Sequence, residues 1–151
     1  MADFTASIST AISERMPALS VPAVAPVVHA VLRVGAGLLF MQHGAQKLFG
    51  LLGGAGGSGQ AVELFSLYGM AGALEFFGGA IVVLGLFTRP VALLLGLEMI
   101  IAYFIAHVPQ GGFPIQNGGE PALLFALIFA FLAAAGAGTW SVDGLRRSRE
   151  S

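Results

Sequence analysis

Of the 151 residues in this chain, 56% are hydrophobic and only 10% are charged, so the ionisable residues set inside apolar runs are the ones that can do chemistry. The richest run, residues 32–50, reads LRVGAGLLFMQHGAQKLFG and carries Arg33, Gln42, His43, Gln46 and Lys47. Three further apolar stretches carry Glu75, Glu98, His107 and Glu120. An ionisable side chain in hydrocarbon costs a few kcal/mol at least and is tolerated where it faces protein or a wet cavity. These residues therefore need one another. His43 and Lys47, four apart, share a helical face. Glu75 stands in AGALEFFGGA between Gly72 and Gly79, and these side-chain-free positions leave room for a neighbouring helix or a ligand. A carboxylate, an amine, an imidazole and two carboxamides can grip the polar head of an apolar ligand, with Glu75 as proton carrier. The same groups can also serve as packing glue, and the residues alone leave both readings open. Arg33 and Glu98, counted from the helix ends nearest them, fall at similar depth and read as a structural ion pair. Glu120 serves either as a fourth contributor to the site or as a carboxylate favoured at a helix start.

Other chemistries are excluded or set aside. With no cysteine, the chain itself offers no thiolate nucleophile, disulfide exchange or cysteine-ligated cluster. No metal site is expected. Haem ligation by His43 and His107 from two helices is set aside in favour of hydrogen bonding within the polar cluster. The run GAGGSG at residues 54–59 matches a dinucleotide fingerprint in its letters, but that motif needs a preceding strand and a following helix. Here it reads as a flexible loop. A formal net charge of -1 gives no whole-chain case for nucleic acid.

The elements that must position these residues are membrane helices. Mean hydropathy is +0.86, and soluble domains carry about a quarter charged residues. The expected fold is all-α, an integral membrane bundle of four transmembrane helices over residues 26–49, 69–87, 90–107 and 121–139. Residues 1–25 form an N-terminal tail or an interfacial helix, with Phe4, Ile8 and Ile12 at four-residue spacing. A second short interfacial helix is expected over 61–68, and residues 145–151 make a basic tail. Ala122, Ala126, Ala130, Ala134 and Gly138 form a small-residue stripe through which a neighbouring backbone can approach. Arg15, Arg89, Arg146, Arg147 and Arg149 all fall on one side of a four-span arrangement. The positive-inside rule then makes both termini cytoplasmic. His43, Lys47, Glu75, His107 and Glu120 gather in the opposite half of the bilayer, with Gln42 and Gln46 adding hydrogen-bonding capacity.

At these same residues the sequence resembles the DoxX family of small four-helix membrane proteins. The matching pieces are Arg33, Val34 and Gly35 leading to His43, Gly44, Lys47 and Leu48, then LEFFGG at 74–79 and LGLFTR at 84–89. Glu98, Met99 and Ala102 follow with His107, then Gly119, Glu120 and Ala122, and finally Gly136, Gly138, Ser141 and Asp143. The resemblance runs over residues 27–144. It implies a bacterial plasma (inner) membrane protein associated with membrane redox assemblies, such as quinol oxidase and thiosulfate:quinone oxidoreductase subunits. The resulting expectation is a quinone- or quinol-interacting subunit of a membrane redox complex. Gln42, His43, Gln46, Lys47, Glu75, His107 and Glu120 would bind the ligand, and a soluble or membrane oxidoreductase partner or a bound cofactor would supply electrons. The alternatives are a non-enzymatic anchor or assembly factor for a soluble oxidoreductase, and a small-molecule or proton transporter, which four short helices accommodate only as a homo-oligomer.

Overall fold

The computed structural model describes residues 21–150, which are helical or looped with no strand among them. Helix α1 covers Val21–Phe49, α2 Leu67–Leu84 and α3 Thr88–Gln110. A one-turn α4, Pro114–Asn117, precedes α5, Glu120–Ala135, and α6, Val142–Glu150. Three stretches are long and apolar enough to cross a membrane: Val24–Phe49, Leu67–Leu84 and Thr88–Gln110. Helix α5 is equally apolar, but its 16 residues give only about 24 Å at 1.5 Å per residue, short of a roughly 30 Å hydrocarbon core. Large apolar side chains point outward all round the bundle, Leu38, Leu39, Leu93, Leu97, Leu124, Leu127 and Phe131 among them. That outward apolar surface is the arrangement a lipid solvent selects.

Glycine sets the spacing of α1 against α2. A methyl group on Gly37 would come within 2.9 Å of the Gly79 carbonyl, and one on Gly44 within 2.7 Å of the Gly72 carbonyl. The space left by Gly72 and Gly79 is thus filled by α1 rather than held open, by the Lys47 side chain at Gly72 and by Met41 and the Gly37 carbonyl at Gly79. The two helices run antiparallel, and α3 returns alongside α2. Its densest packing is against α5, where Gly96 approaches the Ala126 carbonyl and Phe129. Phe40, Val82, Leu95, Phe129 and Leu132 are fully enclosed, with Phe40 wedged edge-on against Phe129 at 4.8 Å between ring centres.

Several boundaries differ from the sequence expectation, each for a local reason. Residues 21–25 already belong to α1, because Pro26 removes one backbone donor without ending the helix. The remainder of the expected N-terminal tail lies outside the described residues. No helix forms over 61–66. The Val62 amide donates instead to the Lys47 carbonyl at 2.8 Å, and Ser66 caps α2 by accepting from the Gly69 amide at 3.0 Å. Helix α2 stops at Leu84 because Gly85 turns left-handed, φ +67. Helix α5 stops at Ala135 because Gly136 leaves the helical region for a positive φ of +84 with ψ -164. The small-residue stripe is correspondingly shorter: Ala122 and Ala126 are buried, Ala130 and Ala134 are exposed, and Gly138 lies beyond the helix. The basic tail is helical through Glu150.

Candidate functional site

The polar residues fall into two layers. At the end of the bundle where α2 meets α3, Arg33 is 2% exposed and donates to backbone carbonyls alone. Its Nη1 reaches the Val82 carbonyl at 2.7 Å and also that of Val83, and Nη2 reaches Trp140 at 2.6 Å. These carbonyls belong to the last turn of α2 and the segment before α6, where backbone acceptors lack helical partners. Asp143 completes this layer. Its carboxylate accepts from the Phe87 and Thr88 amides, each at 3.0 Å, and so caps α3 while holding Phe87 at φ +44. His29 lies close by, its Nε2 3.0 Å from the Gly136 carbonyl.

The expected Arg33–Glu98 ion pair is not formed. A methyl group on Gly78 would come within 2.7 Å of Leu95, so residues 78 and 95 stand level on antiparallel helices. Three residues further along each, Glu75 stands level with Glu98. Arg33 is level with Val82, about seven residues or some 10 Å away at helical rise. The sequence count took α1 to begin near Pro26. In fact the helix extends at least to Val21, which moves Arg33 deeper along α1 but level with the far end of α2.

The second layer is built on Lys47 and Glu75. Lys47 Nζ donates to Glu75 Oε1 in the one ion pair found among the described residues. Glu75 is 2% exposed and lies in a π turn, Leu74–Gly78, that widens α2 by one residue. Such single-turn insertions recur at functional sites. Glu98 lies within electrostatic reach of both Glu75 and Lys47. Its two carboxyl oxygens, and Glu75 Oε2, are buried with no hydrogen-bond partner among the described residues. One turn along α1, His43 rests edge-on against Phe125. With Gln42, Gln46, Leu39, Leu52 and Phe125, it lines a shallow open groove of about 360 Å³. Gln46 donates to the Leu52 carbonyl at 3.1 Å, tying the following loop to the helix.

His107 and Glu120 have a different setting. His107 Nδ1 is 3.0 Å from the Asn117 carbonyl, and its ring stacks on Tyr103 within a second π turn, Tyr103–His107. Glu120 is exposed in the first turn of α5. Among the described residues no hydrogen bond or ion pair joins either to Lys47 or Glu75. Sequence reasoning missed Asn117, which is buried, accepts from the Gly119 amide and donates to the Gly111 carbonyl, both at 2.9 Å. The Asn-Gly pair at 117–118 is a turn signal that pointed to it. Asp143 stood within the closing motif without an assigned role, because its partners lie 55 and 56 residues away.

The second layer sets a lysine–carboxylate pair about one helical turn from a groove open to the surroundings. Comparison with known proteins adds the lineage. The family model described as DoxX matches residues 28–108, just over half of the chain. A protein of Haemophilus influenzae described as uncharacterized is 39% identical over 125 residues, covering 78% of this chain and 90% of that protein. No solved structure matches the chain. The glycine-spaced α1–α2 pair and its Arg33, Lys47 and Glu75 all lie within the matched region, and the chain belongs to the DoxX family.

Proposed function

We propose that this protein is a four-span bundle of a bacterial plasma membrane, with both termini cytoplasmic, and that it binds a quinone or quinol as a subunit of a membrane redox complex. Counting α5 as a span rests on its unbroken apolar sequence and its packing against α3. The orientation rests on Arg89, Arg146, Arg147 and Arg149 at one end of the bundle. The observation that carries the ligand reading is the groove beside the buried ion pair. Leu39, Leu52 and Phe125 offer apolar walls for a ring, and Gln42, His43 and Gln46 offer hydrogen-bond partners for its oxygens. Quinone reduction takes up two electrons and two protons. His43 stands one helical turn from Lys47, which holds Glu75, so a proton reservoir adjoins the place where protons are needed. The electrons come from a partner subunit or a bound cofactor, since this chain has no cysteine to ligate a cluster.

The test is mass spectrometry of small molecules extracted from protein purified in mild detergent, compared with total membrane lipid. Stoichiometric enrichment of a quinone, lost in His43→Leu and Gln46→Leu, is expected. Absence of enrichment rejects the reading. A second reading, a membrane anchor for a soluble oxidoreductase, is favoured by α6, which presents Arg146, Arg147 and Arg149 on an exposed amphipathic helix. Removal of residues 146–151 then abolishes partner co-purification while quinone content is unaffected.

A further inference from the structure

We infer that Glu75 and Glu98 together hold one proton, forming a buried carboxylic-acid site that Lys47 completes. This goes beyond quinone binding and does not depend on it. The argument is one of charge and of acceptors. Lys47, its side chain 20% exposed, contributes one positive charge and the two carboxylates, whose three unpaired oxygens are buried, two negative ones, which leaves a net negative charge in a layer set among apolar helices. Such a charge is costly away from water. The groups facing this layer offer no further cation. Helix α1 brings Lys47 and, a turn away at the groove, His43; α2 brings Glu75; α3 brings Glu98, with Tyr103 five residues further on. Helix α5, packed against α3, has no ionisable residue from 121 to 135.

The acceptor count leads to the same place. Glu75 Oε2 and both Glu98 oxygens are buried acceptors with nothing to accept. A protonated carboxyl is a donor as well as an acceptor. One proton therefore turns one of the three orphaned oxygens into a donor and brings the layer to neutrality. A metal cation fits less well. Hard cations take six or more oxygen ligands, and no group of three or more His, Asp or Glu side chains placed to hold a metal occurs among the described residues. With no ion pair to Arg33, the buried carboxyl oxygens of Glu98 lack a partner among the described residues, and a shared proton accounts for them.

The experiment uses the full chain in detergent with dicyclohexylcarbodiimide, an apolar reagent whose addition to a carboxyl group consumes the carboxyl proton. Peptide mass spectrometry locates the adduct. The expected result is one adduct per chain, on Glu75 or Glu98, with the exposed Glu63 and Glu120 unmodified. Labelling should fall about tenfold per pH unit once the proton dissociates. Glu98→Gln and Glu75→Gln should each abolish labelling, although each keeps the other carboxyl, because the survivor then balances Lys47 as an ion. Adducts persisting on the survivor overturn the shared proton, as does an unlabelled wild-type layer. Protection by sodium chloride at constant pH, unmatched by choline chloride, overturns it in favour of a metal cation. Should neither variant fold, infrared spectroscopy of the wild type decides: a carboxylic-acid carbonyl band that shifts in heavy water is required. Labelling needs no bound quinone, so its failure and the failure of quinone enrichment are separate results.

Discussion

Arg33 offers the sharpest test of how this bundle is held together. The substitution Arg33→Met keeps an unbranched apolar stem, shorter by two atoms, and removes the donors. The Val83 and Trp140 carbonyls lose the Arg33 donor, while the Val82 carbonyl loses it but keeps the Gly85 amide at 3.0 Å. A hydrogen bond to a charged group contributes about 1.5–3 kcal/mol, and an acceptor left buried and unpaired costs about 1–3 kcal/mol. Against this, the variant no longer buries a guanidinium, a relief of several kcal/mol in a well-packed apolar replacement. The net expected loss is about 3 kcal/mol. It is measured by reversible unfolding in mixed micelles, following far-ultraviolet circular dichroism together with the fluorescence of Trp140, the chain's single tryptophan. The informative comparison adds Glu98→Gln. Since Glu98 stands about 10 Å along the bundle from Arg33 by helical rise, the double-mutant cycle should give a coupling below about 0.5 kcal/mol. A broken buried ion pair would instead couple the two at about 3 kcal/mol or more. Arg33→Met within about 1 kcal/mol of wild type would refute the carbonyl-cap account, and strong coupling would restore the pair.

The Lys47–Glu75 pair should behave in the opposite way. Lys47→Met strands a carboxylate that is 3% exposed and should cost about 3–5 kcal/mol, while Lys47→Met with Glu75→Gln should recover much of that loss; the same unfolding assay checks it. The glycine contact of α1 with α2 predicts that Gly44→Ala, which drives a methyl group into the Phe76 and Gly72 backbone, costs about 1–3 kcal/mol. Gly35→Ala, with nothing within 4 Å of its added carbon, should lie within about 0.5 kcal/mol of wild type. Asp143→Ala removes the cap of α3 and should cost about 1–2 kcal/mol, with faster hydrogen exchange confined to the Phe87 and Thr88 amides.

Helix type and the membrane character of three stretches were legible in the sequence, because hydropathy reports the solvent a helix faces and needs no tertiary knowledge. Lys47 and Glu75 were legible too: both lie inside apolar runs, where a charge has few alternatives to a charged partner. Glu98 was misread, and the error is instructive. The depth of Arg33 was counted from an assumed start of α1 near Pro26, and that count put Glu98 in the wrong layer. Counting along α2 and α3 alone avoids this. These helices are joined by the short turn at residues 85–87, so residues equidistant from it are level, and Glu75 and Glu98 lie nine and ten residues from Leu84 and Thr88. The role of Asp143 and the destination of the Arg33 guanidinium were not legible. Both engage backbone groups, which every residue possesses and which no side-chain pattern announces.

The contrast between the two layers bears on what each is for. Around Arg33, both terminal guanidinium nitrogens and the Asp143 carboxylate have backbone partners at helix ends, while Arg33 Nε and Thr88 Oγ1 are buried without one among the described residues. Such a layer fixes the turn between α2 and α3. Around Glu75 the accounts do not close. One oxygen takes the lysine, three more are buried without donors, and the helix carrying Glu75 is widened at that point. A purely structural layer gains nothing from orphaned acceptors, which cost stability wherever they occur. The proposed proton on Glu75 or Glu98 removes the net charge that their burial would otherwise leave beside Lys47.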